Sequence, residues 1–230
     1  MVRLRSDIGV EYIQHSGTDL MIAKAARVST GKDKLDNNKI EGLIRYLARE
    51  RHTSPFEHTS VTVRIEAPIF VVREAMRHRT FSFNEISGRY AKLEPTFWVP
   101  DGDRPLVNAG SGAHPDLVPA VHDVTHPAVV TNMEAAYASA WNVYDYLISG
   151  DKDNGDDVIA NEVARSVLPV GTYTSWYMTG NLHAWFKFLA LRDGSQGHPQ
   201  EEIQELANKV WPILVALFPV ATQAWREENH

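Results

Sequence analysis

A change of period within one short segment sets the strongest limit on the fold. Val61, Val63 and Ile65 alternate with Thr62, Arg64 and Glu66, the two-residue repeat of a half-buried strand. At Ala67-Pro68 the repeat becomes helical, through Ile69, Val72, Ala75 and Met76, proline being tolerated in a first helical turn. A chain that passes from strand directly into helix must bury both kinds of apolar face, so the expected class is α+β. The expected helix ends on Arg77-His78-Arg79. The stretch Thr80-Phe81-Ser82-Phe83-Asn84-Glu85-Ile86-Ser87-Gly88-Arg89-Tyr90 then adds one more arginine, a single carboxylate and hydroxyls at Thr80, Ser82 and Ser87, with no lysine. Arginine's planar fork binds phosphate through two bonds at once, which a lysine point charge does not. A helix C-terminus favours cations. That accounts for Arg77, His78 and Arg79 but not for Glu85, Ser87 and Arg89 after them. An anion-binding site built on this stretch is the preferred reading.

The flanking sequence supplies the rest of one mixed domain over residues 1–230. Residues 10–14 read as a short strand, and Thr18-Asp19 as a helix start followed by Leu20, Ala23, Ala26 and Arg27. Residues 36–49 are amphipathic, with Ile40, Leu43, Ile44 and Leu47 on one stripe. Strands are expected at 97–99 and 171–178. Helices are expected at 127–148, from the turn Asn154-Gly155-Asp156-Asp157 to Leu168, at 182–191, and at 200–218 with a kink at Pro212. Residues 101–125 hold prolines and glycines without a period and read as a long surface loop.

Charge and cysteine content narrow the function. The chain carries 29 acids against 23 bases, a net charge of -6. A chain this acidic is a poor candidate for non-specific nucleic-acid binding, which requires a basic face. A small anion held by a local arginine cluster remains compatible. There is no cysteine, which removes disulfides, thiolate metal sites and any cysteine nucleophile, and suits a reducing cytoplasm. The start Met1-Val2-Arg3-Leu4-Arg5-Ser6-Asp7 has no signal-peptide core. No run nears the roughly 18 apolar residues of a membrane span, so no membrane association is expected.

Three more arginines sit in apolar context, Arg27 after Ala25-Ala26, Arg165 after Val163-Ala164 and Arg192 after Leu189-Ala190-Leu191. A buried charge without a partner is costly, so each calls for an anion, from a structural ion pair or from a ligand. His122 and His126, with Asp116 and Asp123 nearby, suggest a metal. They fall in the proline-rich loop, no HExxH spacing occurs, and no metal site is expected. Neither a GxGxxG nor a P-loop is present.

Arg77-His78-Arg79, seven residues, then Ser87 resembles the RHR-x7-S signature of the flavin-dependent thymidylate synthases. The likeness extends through Asn84-Glu85-x-Ser87-Gly88-Arg89-Tyr90. It continues in Ala25-Ala26-Arg27-Val28-Ser29, Pro55-Phe56-Glu57-His58, Ala67-Pro68-Ile69-Phe70, Ala164-Arg165-x-x-Leu168-Pro169 and Leu191-Arg192. The resemblance implies a mainly antiparallel sheet packed by helices, and a homotetramer with active sites between subunits. It implies FAD, dUMP, methylenetetrahydrofolate and NADPH, and reductive methylation of dUMP to dTMP with release of tetrahydrofolate, a step of de novo dTTP biosynthesis.

Carried over by residue, the resemblance places dUMP against Glu74, Arg77, Glu85, Ile86, Ser87, Gly88, Arg89, Arg165 and Arg192. It places FAD against Ser54, Arg77, His78, Arg79, Thr80, Glu85, Asn181, Leu182, His183 and Lys187. His52 falls where the family has a histidine near the flavin, and either helps admit folate or NADPH or is an ordinary loop histidine. A chain without cysteine cannot activate uracil by thiolate attack. A guanidinium beside N3 that stabilises the deprotonated pyrimidine is the alternative, and the resemblance gives Arg192 that catalytic role. Ser87 as nucleophile is the competing assignment, but no adjacent base is visible, so it is read as a substrate contact. Glu74 stands where the family pattern has glutamine, and either faces the nucleotide or pairs with an arginine. Lys187 stands where an asparagine meets the flavin. The Gly194-Ser195-Gln196-Gly197-His198 segment is longer than in relatives, which leaves His198 without a role. The rival readings are a non-catalytic nucleotide-binding protein and a metal-dependent nucleotide phosphohydrolase using His122 and His126.

Overall fold

The switch from strand to helix falls at Pro68-Ile69, later than the sequence pattern suggests. The computed structural model describes residues 1–31, 39–112, 114–151, 155–195 and 197–229. In chain order its elements are β1 (Arg3–Arg5), β2 (Gly9–Ser16), α1 (Asp19–Val28), α2 (Ile40–Arg49), β3 (Ser60–Pro68), α3 (Ile69–Ala75) and β4 (Ser82–Glu85). There follow β5 (Thr96–Trp98), β6 (Val107–Asn108), β7 (Leu117–Val118), α4 (Thr125–Ser149), α5 (Asn161–Ala164), β8 (Tyr173–Gly180), α6 (Leu182–Arg192), α7 (Glu201–Leu217) and α8 (Pro219–Asn229). Tight 3-10 turns occupy Ser54–His58 and Arg165–Val167. The class is α+β, with a four-stranded sheet in the order β2-β3-β8-β4.

The late switch has a hydrogen-bond cause. The N–H groups of Ile69 and Phe70 donate to the carbonyls of Thr172 and Val170 at 3.0 and 3.1 Å. The chain thus stays paired up to the helix, and proline, which has no N–H, closes the strand at no cost. β3 is also drier than its alternation implies, because Thr62 is buried along with Val61, Val63 and Ile65. The Thr62 hydroxyl meets that of Thr179 at 2.8 Å, which satisfies both in the core.

The chain divides into two compact units, each built from separate stretches of sequence. One comprises Met1–Asp7, Glu66–Arg73 and Glu85–Ser175. Its core is the α4 stripe of Tyr137, Trp141 and Tyr144 against Phe97, with Phe97 and Tyr137 stacked at 4.8 Å. In this unit β1 and β5 pair in parallel. The expected loop at 101–125 contains the short antiparallel pair β6-β7, and α4 opens at Thr125 rather than Pro127. The expected helix to Leu168 is one α-turn followed by the 3-10 turn, and Asn154 lies outside the described residues.

The second unit comprises Ile8–Ile65, Glu74–Asn84 and Trp176–His230. Its buried side chains include Ile22, Ile44, Val61, Ile65, Trp176, Trp185, Phe188, Leu206, Val210 and Leu214. Each such large side chain contributes roughly 1.5–3 kcal/mol when fully buried. The helix expected from Asp36 is described from Ile40 onward, since residues 32–38 lie outside the described residues. Pro212 sits inside α7. Helix α8 has no counterpart in the sequence reading. It packs on α2 and α1, and the Asp19 carboxylate accepts from the N–H groups of Val220 and Ala221, both at 3.0 Å, capping it from α1.

Candidate active site

α3 ends at Ala75, and the chain leaves it in a turn held by Arg77 N–H to the Glu74 carbonyl and His78 N–H to the Ala75 carbonyl. That turn presents Arg77, Arg79 and Thr80 as exposed side chains and folds His78 inward. The His78 ring packs edge-on against Phe188 of α6 at 4.9 Å. Phe81 anchors the far side of the turn, edge-on to Trp185 at 4.7 Å. Gly180 makes room for it, since a Cβ there would lie 2.4 Å from the Phe81 ring.

The last residue of α6 reaches the same turn. Arg192 Nε donates to His78 Nε2 at 3.2 Å, and Nη1 donates to Glu74 Oε2 at 3.2 Å. An imidazole nitrogen that accepts from a guanidinium is unprotonated, so His78 is neutral with its hydrogen on Nδ1. Burial, and secondly the Arg192 charge, hold its pKa down at about 4 from an ordinary 6.5. Glu74 thus pairs with an arginine, one of the two alternatives its position allowed. Guanidinium offers five donors. Those not engaged by His78 and Glu74 remain available on a side chain that is still 21% exposed.

At its other end α6 carries the remaining flavin candidates of this unit. Asn181 Oδ1 accepts from Ala184 N–H at 2.8 Å and caps the helix, leaving its amide NH2 for other contacts. Leu182 is fully buried and its N–H points at Thr59 Oγ1, 3.3 Å away. His183 Nδ1 meets Glu57 Oε1 at 3.0 Å. Lys187 and Ser54 are exposed. His52 is exposed too, its ring edge-on to Tyr46 at 5.9 Å. His198 is exposed, and its neighbour Gln196 lies outside the described residues.

Glu85, Ile86, Ser87, Gly88, Arg89 and Arg165 all belong to the other unit. Glu85 Oε1 accepts from Thr174 Oγ1 at 2.8 Å, and Ile86 N–H donates to the Ser175 carbonyl at 2.9 Å. The turn that follows is held by Tyr90 N–H to the Ser87 carbonyl, 3.0 Å, and by Leu93 N–H to the buried Tyr144 hydroxyl, 3.1 Å. Gly88 is buried under the Arg165 stem. A Cβ there would lie 3.3 Å from Arg165 Cδ and 3.1 Å from Leu93 Cδ1. Glycine thereby lets the arginine lie over the Ser87-Gly88-Arg89 turn. Arg89 Nε pairs with Glu162 at 2.9 Å, both half-exposed, an ion pair worth about 0–1 kcal/mol. Ser87 Oγ accepts Arg89 N–H at 3.3 Å. No carboxylate or imidazole acts on that hydroxyl among the described residues of its unit.

The rule that arginines in apolar context are buried needs correction. Arg165 is exposed, because it lies in the 3-10 turn after α5 and because its neighbours Val163, Val167 and Val170 are exposed as well. Arg192 is partly buried and paired, as the rule requires. Arg27 Nε is buried with no hydrogen-bond partner. Among the described residues Arg77, Arg79, Arg165 and Lys187 have no hydrogen-bond or ion-pair partner for their side chains. In a chain of net charge -6, such free cations are candidate contacts for an anion. The metal alternative gains nothing. His126 Nε2 faces the carbonyls of Pro100 and Asp101 at 3.2 and 2.8 Å and must carry hydrogen there, and no group of three or more acidic or histidine side chains gathers among the described residues.

The supporting side chains that the sequence reading missed are Thr174, Phe188 and Leu93. Each acts across a long sequence separation and carries no local signal.

The family model described as thymidylate synthase complementing protein matches residues 11–220. The flavin-dependent thymidylate synthase of Streptomyces coelicolor is 40% identical over 236 aligned residues, covering 97% of this chain and 93% of that protein. The chain belongs to the flavin-dependent thymidylate synthase family. It is an enzyme of the methyltransferase class. The family member of Tropheryma whipplei is 37% identical over 235 residues, 97% of this chain and 94% of its own. Among solved structures, the UMP/dUMP methylase PolB from Streptomyces cacaoi bound with 5-Br UMP superposes with a TM-score of 0.87 at 42% identity, covering 99% of this chain and 97% of that one.

Proposed function

We propose that the chain methylates dUMP reductively to dTMP, with methylenetetrahydrofolate as carbon donor and NADPH as reductant of a bound FAD, releasing tetrahydrofolate. Family membership sets the reaction class. The observation that carries the site assignment is the fixing of Arg192 by neutral His78 and by Glu74. With no cysteine in the chain, a pinned guanidinium is the available means of stabilising an N3-deprotonated pyrimidine and raising nucleophilicity at C5. Its remaining N–H groups are the donors for that anion. Ser87 serves as a substrate contact, since no base acts on it within its unit.

The nucleotide phosphate falls to Arg89 and Arg165. Arg165 is unpaired, and the weak Arg89–Glu162 pair yields readily to a dianion. Arg77, Glu85, Ile86 and Gly88 complete the dUMP contacts. FAD, when bound, supplies the hydride. The unpaired cations Arg79 and Lys187, the Asn181 amide and the His183 ring suit its anionic diphosphate, with Ser54, His78, Thr80 and Leu182 beside it and His52 at the approach of folate or NADPH. Exposed Val158, Val163, Val167 and Val170 favour burial against further copies, which supports a homotetramer with shared active sites. Among the described residues no helix is long and apolar enough to cross a membrane. A cytoplasmic place in dTTP synthesis fits this reading.

A second substrate is favoured by one observation. The solved neighbours are named UMP/dUMP methylases and carry 5-Br UMP or 5-Br dUMP, so UMP belongs beside dUMP in every assay. The purified protein is expected to be yellow. NADPH should bleach it faster when nucleotide is present, and methylated nucleotide and tetrahydrofolate should form in equal amounts. A protein that takes up no flavin, or one that yields no methylated nucleotide from dUMP or UMP, overturns the proposal.

A further inference from the structure

Arg192 is held on two edges by groups of different kinds, and the two restraints do different things. His78 Nε2 accepts from Nε and, being neutral, leaves the guanidinium charge intact. Glu74 Oε2 accepts from Nη1 at 3.2 Å across a pair that is 30% exposed on the acid and 21% on the arginine. Nε alone fixes one direction and leaves the guanidinium free to pivot about the Nε–H···Nε2 axis. A second acceptor on Nη1 removes that rotation. It also selects which N–H groups stay unengaged, and therefore which edge of the fork meets a ligand.

A carboxylate here is otherwise hard to justify. It introduces negative charge beside a nucleotide site, where an unpaired acid repels the substrate. Its pairing with Arg192 cancels that charge locally, and its presence at the end of α3 is repaid only by geometry. Resting on the functional reading above, the structure assigns Glu74 as a positioning residue: it orients Arg192 towards the pyrimidine and is not itself a nucleotide contact. This revises the direct dUMP contact that the family resemblance gives it.

Reach distinguishes orientation from charge. Glu74→Gln keeps an acceptor at the same distance without the charge, whereas Glu74→Asp keeps the charge and shortens the side chain by one methylene. Since the contact is already 3.2 Å, aspartate does not reach Nη1. Glu74→Asp and Glu74→Ala are therefore expected to lower kcat on the order of ten- to a hundred-fold, the effect of misplacing a catalytic group by about 1 Å. Their dUMP dissociation constants, measured without turnover, should change little. Glu74→Gln should restore most of kcat. Flavin content and thermal unfolding verify that each variant is folded.

A second readout does not depend on activity. In protein labelled with 15N at arginine Nε, the Arg192 Nε–H should exchange slowly with solvent in the wild type and in Glu74→Gln, and faster in Glu74→Asp and Glu74→Ala. Wild-type kcat in Glu74→Asp with loss in Glu74→Gln overturns the assignment in favour of charge. A large loss of dUMP affinity in Glu74→Ala overturns it in favour of direct contact. Should the wild type methylate no nucleotide, the functional reading fails, and the exchange experiment still decides whether Glu74 orients Arg192.

Discussion

Protonating His78 should undo the Arg192 contact, and the cost can be worked from the structure. The imidazole accepts a hydrogen bond from Arg192 Nε at 3.2 Å and is held at a pKa of about 4 against an ordinary 6.5. Because the unfolded chain takes up the proton more readily, the contribution of this group to stability is complete above pH 6.5. It is lost as pH falls through 6.5 towards about 4. At about 1.4 kcal/mol for each pH step, that interval corresponds to roughly 3 kcal/mol. Solvent screening around a half-buried ring reduces it to about 1.5 kcal/mol. The informative variant is His78→Gln, whose amide oxygen reaches the place of the ring's Nε2 and so keeps an acceptor towards Arg192 but does not titrate. Urea unfolding of both proteins at pH 7, 6, 5 and 4.5 supplies the comparison, and the many exposed carboxylates cancel in the difference. The wild type should lose about 1.5 kcal/mol more than the variant between pH 7 and 4.5. Parallel loss in the two proteins, or an NMR titration of His78 near 6.5, would refute the neutral-acceptor geometry.

Other expectations follow from single contacts. Gly88→Ala should push the Arg165 stem and Leu93 aside, costing about 1–3 kcal/mol of stability by overpacking and raising KM for nucleotide; an unchanged melting temperature and KM would contradict the close packing. Arg165→Ala should leave stability within about 0.5 kcal/mol, as for an exposed residue without partners, yet weaken nucleotide binding by about 1.5–3 kcal/mol in calorimetry. Asp19→Ala should cost about 1–2 kcal/mol by uncapping α8, with Asp19→Asn recovering part of it in thermal unfolding.

How far the sequence speaks depends on the range of the interactions that decide each feature. The α4 stripe of Tyr137, Trp141 and Tyr144 and the alternation of Val61, Val63 and Ile65 are local periodicities, and both faces are buried. The end of β3 at Pro68 was not legible, because it depends on carbonyls of Val170 and Thr172 far along the chain. Helix α8 was missed for the same reason, its cap being Asp19 at the opposite end of the sequence. The Arg77-His78-Arg79 stretch was visible as a cation cluster, but composition does not say that one of its members is a neutral acceptor. Arg165 misled in the other direction. Apolar neighbours suggested burial, whereas Arg165 lies in a 3-10 turn at the surface with Val163, Val167 and Val170, and only Ala164 is buried.

Asn181 separates folding from recognition at the level of single atoms. Its oxygen belongs to the helix, through the 2.8 Å bond from Ala184 N–H, so only its NH2 faces outward as a donor. Asn181→Asp should therefore be a gain for one task and a loss for the other. A carboxylate caps a helix N-terminus at least as well as an amide, but it has no hydrogen to offer and repels a phosphate. A protein that melts at the same temperature or higher while binding flavin more weakly would be the signature. On the proposed function, the nitrogen is the atom that meets the flavin, while the oxygen is what caps the helix.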